Sequence, residues 1–213
     1  MKKFIFIITL IIAFTFMFSI APTYASNKVL NPQTININNL STDTVISDVM
    51  TYDEIVKQLA IDKNISIAEA QKIIGSPITT IMSKDGYPIK IMADTYRTIT
   101  NQFTVTSEYK PSMRFYCRTS EGGSFHGIIE ILNVDMSRSY QGRSYAFGGS
   151  VYTNLENANT IYYSIDGDFY EHGTTTVSGG VKIGIGDSAT INFELSNASN
   201  WYAIADVAKR FTW

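Results

Sequence analysis

Residues 181–195 read VKIGIGDSATINFEL. Two folds compete for this stretch. Gly184, Gly186 and Ala189 have the G-x-G-x-x-A spacing of a dinucleotide-binding loop. That loop needs a helix after its glycines, because the helix N-terminus holds the pyrophosphate. Here no helix follows. Ala189, Ile191, Phe193 and Leu195 alternate with Thr190, Asn192 and Glu194. A period of two places apolar side chains on one face of a strand and polar ones on the other. Before the turn, Val177, Val181, Ile183 and Ile185 share one parity, and Ser178, Gly180, Lys182, Gly184 and Gly186 the other. The stretch reads as a two-faced β-hairpin over 177–195, turning at Gly186-Asp187-Ser188. Its glycines form a thin polar face. No cofactor is expected.

The same alternation runs back to Ser76. Ile99, Phe103, Val105 and Tyr109 share a parity opposite Thr98, Thr100, Thr104 and Thr106. Met113, Phe115 and Cys117 alternate with Arg114, Tyr116 and Arg118, and Ile161, Tyr163 and Ile165 with Tyr162 and Ser164. The segment SFHGIIEILNV (124–134) is apolar on both parities, as a central strand is. Asp85-Gly86, Glu121-Gly122-Gly123, Gly148-Gly149 and Asp166-Gly167 read as turns between strands. NWYAIADVAKRFTW (200–213) fits a helix with Trp201, Ile204, Ala205 and Ala208 on one face, or a strand with Trp201, Ala203, Ala205 and Val207 on one face; the β-rich residues before it favour the strand. Residues 76–213 are thus expected to form an antiparallel β-sandwich-like domain.

Upstream, TYDEIVKQLAIDKNISIAEAQKIIG (51–75) has helical spacing. Thr51 with Glu54, and Ser66 with Glu69, have the spacing of capping boxes, and Gly75 suits a helix end. A short helical hairpin over 48–75 makes the fold class α+β. The segment also imitates a DNA-binding helix-turn-helix. Its second helix, IAEAQKII, carries one Lys and one Glu, too little positive charge for phosphate contacts. Nucleic acid is therefore not an expected partner.

Residues 26–47 are rich in Asn, Ser and Thr and read as a polar linker, with a short strand at Thr34 to Ile37. Residues 1–25 have the three parts of a signal peptide: Lys2 and Lys3, an uncharged run from Phe4 to Ile20, and small residues before a cut between Ala25 and Ser26. A membrane anchor is the competing reading, since the run approaches the ~18 residues that span a bilayer. The polar stretch that follows favours cleavage and release, so the protein is expected outside the cell or in its envelope. Loss of Lys2 and Lys3 from 17 basic residues, against 19 acidic ones, deepens the formal charge from −2 to −4. The single Cys117 closes no internal disulfide and reads as a small buried hydrophobe.

TYDEIVKQLA (51–60), FGGSVYTNLEN (147–157) and DGDFYEHGTTTVSGG (166–180) resemble a group of exported proteins of Gram-positive bacteria. The resemblance implies export and this domain order, and it brings no functional residue with it.

Candidate chemistry is sparse. His126 and Glu130 lie four apart, roughly 13 Å along a strand at ~3.3 Å per residue, too far to touch. No G-x-S-x-G elbow marks a nucleophile, and no spacing marks zinc. Asp166 and Asp168, two apart around a glycine, are the calcium candidates. Of 13 Tyr and 2 Trp, the rings of Tyr162, Tyr170, Trp201 and Tyr202 are the ones the pattern does not bury. Exposed rings stack on sugars or anchor protein interfaces. The leading expectation is a secreted, non-enzymatic binding protein for glycan or protein. A β-pore using the 174–196 hairpin, in contact with membrane, is the first alternative. A hydrolase with a dispersed site is the second. If the N-terminal reading is right, intact-mass analysis of protein recovered outside a secreting host will give a chain beginning at Ser26. A secreted product retaining residues 1–25 would refute it.

Overall fold

The N-capping boxes expected from sequence are formed. Thr51 Oγ1 accepts the Glu54 amide at 3.4 Å, and Glu54 accepts the Thr51 amide at 2.7 Å. Ser66 and Glu69 repeat the exchange at 3.2 and 2.9 Å. The computed structural model describes residues 43–77, 80–82, 84–86, 88–90, 94–122, 126–177 and 180–213. The expected signal peptide, its cut at Ala25 and Ser26, and residues 26–42 of the expected linker, with the strand at Thr34 to Ile37, lie outside the described residues.

The elements are β1 (Thr44–Ile46), α1 (Tyr52–Lys63), α2 (Ile67–Ile74), β2 (Thr80–Met82), β3 (Pro88–Lys90), β4 (Thr95–Gln102), β5 (Ser112–Ser120), β6 (Gly127–Ser137), β7 (Ser139–Tyr140), β8 (Arg143–Ser144), β9 (Ala146–Asn157), β10 (Thr160–Val177), β11 (Ile183–Gly184) and β12 (Ser188–Thr212). The protein is mostly antiparallel sheet with two helices. One sheet has the order β1-β4-β5-β6-β11, and β9, β10 and β12 pair in a closed ring. Two small hairpins, β2–β3 and β7–β8, complete the pairing.

Each face of the five-stranded sheet has its own core. Met113, Phe115 and Cys117 of β5 point to one side and join Phe147, Val151 and Phe169 of the ring strands in a shared cluster. Tyr116 points to the other side, where Leu132 and Tyr96 meet Ile55, Leu59 and Ile74 of the helices. Burying an Ile or Leu contributes about 1.5–3 kcal/mol, so the helices are packed onto the sheet. β6 is apolar on both parities because Ile131 feeds one cluster and Leu132 the other. Cys117 is fully buried, as expected, and burial pushes its thiol pKa well up. A polar link crosses the first core. Tyr163 Oη donates to Asn101 Oδ1 at 2.5 Å, and Asn101 Nδ2 donates to Thr44 Oγ1 at 2.7 Å.

Several sequence expectations are corrected. The expected linker to residue 47 ends too late, because β1 pairs with Ile99 to Asn101 and Ile46 is buried. The two arms of VKIGIGDSATINFEL do not pair with each other. Ile183 and Gly184 pair with Ile131 and Glu130 of β6, whereas Ser188 to Phe193 pair with Asn154 to Gly149 of β9. Alternation is the same whichever strand a segment pairs with, so the pattern is right and the partner is not. Only the outer ends, Thr174 to Val177 with Phe193 to Ser196, match the expected hairpin. The C-terminal segment is the expected strand, with a bulge. Phe169 pairs with Ala203 but Tyr170 with Trp201, so Tyr202 is the extra residue.

Gly148-Gly149 and Asp166-Gly167, expected as turns, lie inside β9 and β10 and face each other. A Cβ on Gly149 would sit 2.3 Å from the Asp166 carbonyl oxygen, and one on Gly167 2.4 Å from that of Gly148. The strands approach backbone to backbone, which only glycine permits. Gly167→Ala is expected to destabilise the fold by about 1–3 kcal/mol through overpacking. Gly122→Ala, where a Cβ meets nothing within 4 Å, should stay within about 0.5 kcal/mol of the parent. Urea midpoints of the two variants test the contrast.

Candidate functional site

The ring strands turn one face outward. Along it the register sets Tyr162 opposite Arg210, Ser164 opposite Ala208, Asp166 opposite Asp206, Asp168 opposite Ile204 and Tyr170 opposite Trp201. The bulge at Tyr202 sends Trp201 outward, against the parity expected from sequence. Trp201 is 60% exposed, yet it is held, because its Nε1–H donates to Asp168 Oδ1 at 2.8 Å. Ile204, 61% exposed, lies on the same face. Ring, carboxylate and cross-strand Tyr170 thus form one patch.

The other two expected rings lie elsewhere. Tyr202 stacks on Tyr145 at 4.1 Å, meets Tyr109 edge-on and shares a 3.0 Å hydrogen bond with Thr106. Tyr162 is eight residues from Tyr170, roughly 26 Å along a strand. It packs under the Arg210 guanidinium, 5.2 Å from the ring centre, and Arg210 pairs with both Glu156 oxygens at 2.8 and 2.7 Å.

Asp166 and Asp168 share the outward face of a continuous strand and not a calcium-type turn. Asp168 is engaged by Trp201, and among the described residues no three His, Cys, Asp or Glu are grouped to hold a metal. His126 Nδ1 lies 2.8 Å from Glu121, and Glu130 pairs with Arg118 at 3.2 Å. Burial opposes ionisation of Glu121, but hydrogen bonds from Arg97 and His126 outweigh it and hold its pKa below the ordinary value. His172 is exposed, opposite Ser199. No described helix is long and apolar enough to cross a membrane, which leaves strands unaddressed.

A second feature was missed from sequence. The end of α1, the polar side of β5, the end of β6 and the far end of β10 enclose a cleft. It has two adjoining lobes of about 490 and 290 Å³ that share Asp62, Asp135, Met136 and Arg138. Neither histidine lines it. Asp62 accepts from Arg114 and, at 2.7 Å, from the Tyr116 hydroxyl. Asp135 accepts the Met136 amide at 2.9 Å and lies 3.7 Å from Lys63. Burial raises the pKa of Asp135, against the pull of Lys63. Burial also raises that of Tyr116, with Asp62 adding to it. Burial lowers that of Arg138. The alternation of Arg114 and Tyr116 with the apolar residues of β5 was legible in the sequence. That a helix end covers them depends on contacts between residues some 50 positions apart.

No protein-family model, curated protein or solved structure matches the chain.

Asp135 makes stability depend on pH. Its folded pKa lies above its unfolded one, so the folded state holds the proton more tightly and ionisation works against folding. The penalty is absent below the unfolded pKa of about 4, grows as pH rises and is complete above the folded pKa. Asp135→Asn keeps an acceptor for the Met136 amide and abolishes the titration. Relative to this variant, the parent is expected to lose stability as pH is raised from 4 to 8. Parallel denaturation curves that keep a constant gap would refute it.

Proposed function

We propose that the chain is an exported, non-enzymatic protein that binds a glycan on the outward face of β9, β10 and β12. The observation that carries this reading is Trp201, exposed at 60% yet hydrogen-bonded to Asp168. A ring held in place by a hydrogen bond can offer its face to the C–H side of a sugar at little entropic cost. Beside it stand acceptors for sugar hydroxyls: Asp168, already oriented, and Asp166 and Asp206 one register row away. A protein partner is less well served. Trp201 and Ile204 are small apolar anchors among carboxylates, and interface cores are depleted in charge.

Two further readings support this function. The core shared between the five-stranded sheet and the ring strands is read as a β-sandwich-like platform, with the helical hairpin on its far side. Export, and residence outside the cell or in the envelope of a Gram-positive bacterium, rest on the leader-like residues 1–25 and on the resemblance of three segments.

Retention on immobilised envelope polysaccharide is the test. Trp201→Ala is expected to weaken it about tenfold, the loss of one ring contact worth about 1.4 kcal/mol. Tyr162→Ala, at the far end of the face, should leave it within about twofold. No retention by the parent, or equal retention by Trp201→Ala, would overturn the reading.

A further inference from the structure

The cleft between α1 and the strand ends carries a cation that stands outside the ion pairs of the described residues. Three cations line it, and two are engaged: Arg114 by Asp62, and Lys63 by Asp135. Arg138 differs. Its Nη1 donates to the Tyr145 carbonyl at 3.1 Å and to Thr175 Oγ1 at 2.8 Å, both neutral acceptors. Among the described residues it forms no ion pair. A guanidinium has five N–H donors in a planar fork, so the two bonds from Nη1 leave the Nε–Nη2 edge unused. That edge matches the spacing of two oxygens on one carboxylate or phosphate. Neither nitrogen is among the buried unpaired atoms, and Arg138 lines both lobes, so the edge reaches the cleft's water. Asp135 acts on this partly desolvated guanidinium only from beyond ion-pair distance, so an incoming anion at the open edge gains a direct pairing that the fold leaves unmade.

We propose that this cleft is an oxyanion subsite for a small hydroxylated molecule, with Arg138 as its anchor. Ser137, Ser139 and Ser144 line the lobe beside Arg138 and supply hydroxyl donors for the remaining anionic oxygens. Three such donors favour phosphate, with its three terminal oxygens, over carboxylate. Asp62 and Asp135 do not exclude an anion, because Arg114 and Lys63 balance their charge. They face the other end of the ligand, where they accept from its hydroxyls. The larger lobe, about 490 Å³, limits the ligand to a small molecule or to the end group of a polymer. This site is separate from the Trp201 patch and stands or falls without it.

Isothermal titration of the purified protein at constant ionic strength tests the assignment, with glycerol phosphate, glycerate, inorganic phosphate and glycerol as probes. Glycerol phosphate is expected to bind most tightly, glycerate and inorganic phosphate at least threefold more weakly, and glycerol not at all. Arg138→Gln should weaken glycerol phosphate at least tenfold, and Arg138→Lys should recover part of the loss. Arg138 also ties two strands together, so Ser144→Ala on the exposed rim is the second variant. It leaves both Arg138 bonds intact and should weaken binding about threefold. Trp201→Ala should change nothing, which separates this site from the glycan face. The proposal is overturned if glycerol phosphate gives no heat at millimolar concentration, or if glycerol binds as well. Unchanged affinity in a folded Arg138→Gln would also overturn it. Should that variant not fold, unchanged affinity in Ser144→Ala would do so.

Discussion

The ring strands depend on a place where two backbones touch. At Gly149 and Gly167 the separation of β9 and β10 leaves no room for a β-carbon on either side. Backbone hydrogen bonds set the spacing of paired strands, and β-carbons limit how sharply a ribbon coils. With none there, β9 and β10 can bend together; Phe147 lies 2.7 Å from where a β-carbon on Gly167 would stand, and Leu195 2.7 Å from one on the neighbouring Gly148. Leu195 belongs to β12, which pairs with β9 through Ser188–Phe193 and with β10 beyond it. The glycine contact thus lies under the point where β12 passes from one partner to the other. The outward face with Trp201 is the back of that same bend.

The two candidate sites follow from opposite treatments of polar side chains. On the outward face, bulging at Tyr202 takes one ring into the Tyr109–Tyr145 cluster and releases its neighbour Trp201 to water. At the cleft, a helix end closes over a polar strand face and removes water from groups that keep their charge. Pairing compensates most of them. Arg138 is the one whose hydrogen bonds bring no opposite charge, since its role in the fold, holding the Tyr145 carbonyl and Thr175, needs donors and not a cation.

The local pattern was legible in the sequence, and the partners were not. Capping boxes at Thr51 and Ser66 act over three residues, so the spacing suffices to find them. The two-sided character of β5 and the double-sided burial of β6 are written in parity. Register is not: Ile183 and Ile191 look alike in sequence, yet one pairs with β6 and the other with β9. Glycine misled in the other direction. Gly148-Gly149 and Asp166-Gly167 have turn composition, but what they supply is the absence of side chains in mid-strand. Trp201 was picked out as an exposed ring, although its parity pointed inward until the bulge is known. The cleft was not legible, because Asp62, Arg114, Asp135 and Arg138 come from separate stretches that only the folded chain brings together.

The crossing segment has a further consequence. Between Gly184, in the five-stranded sheet, and Ser188 of β12, paired with β9, only three residues intervene. Hydrogen bonds tie this corner down, the Gly186 amide donating to the Leu155 carbonyl at 2.7 Å and the Leu155 amide to that of Asp187 at 3.2 Å. The corner works as a rivet between the two layers. Under a pulling force along the strands, neither layer can slide without stretching a three-residue link whose ends are both hydrogen-bonded. This is mechanical resistance obtained without a disulfide.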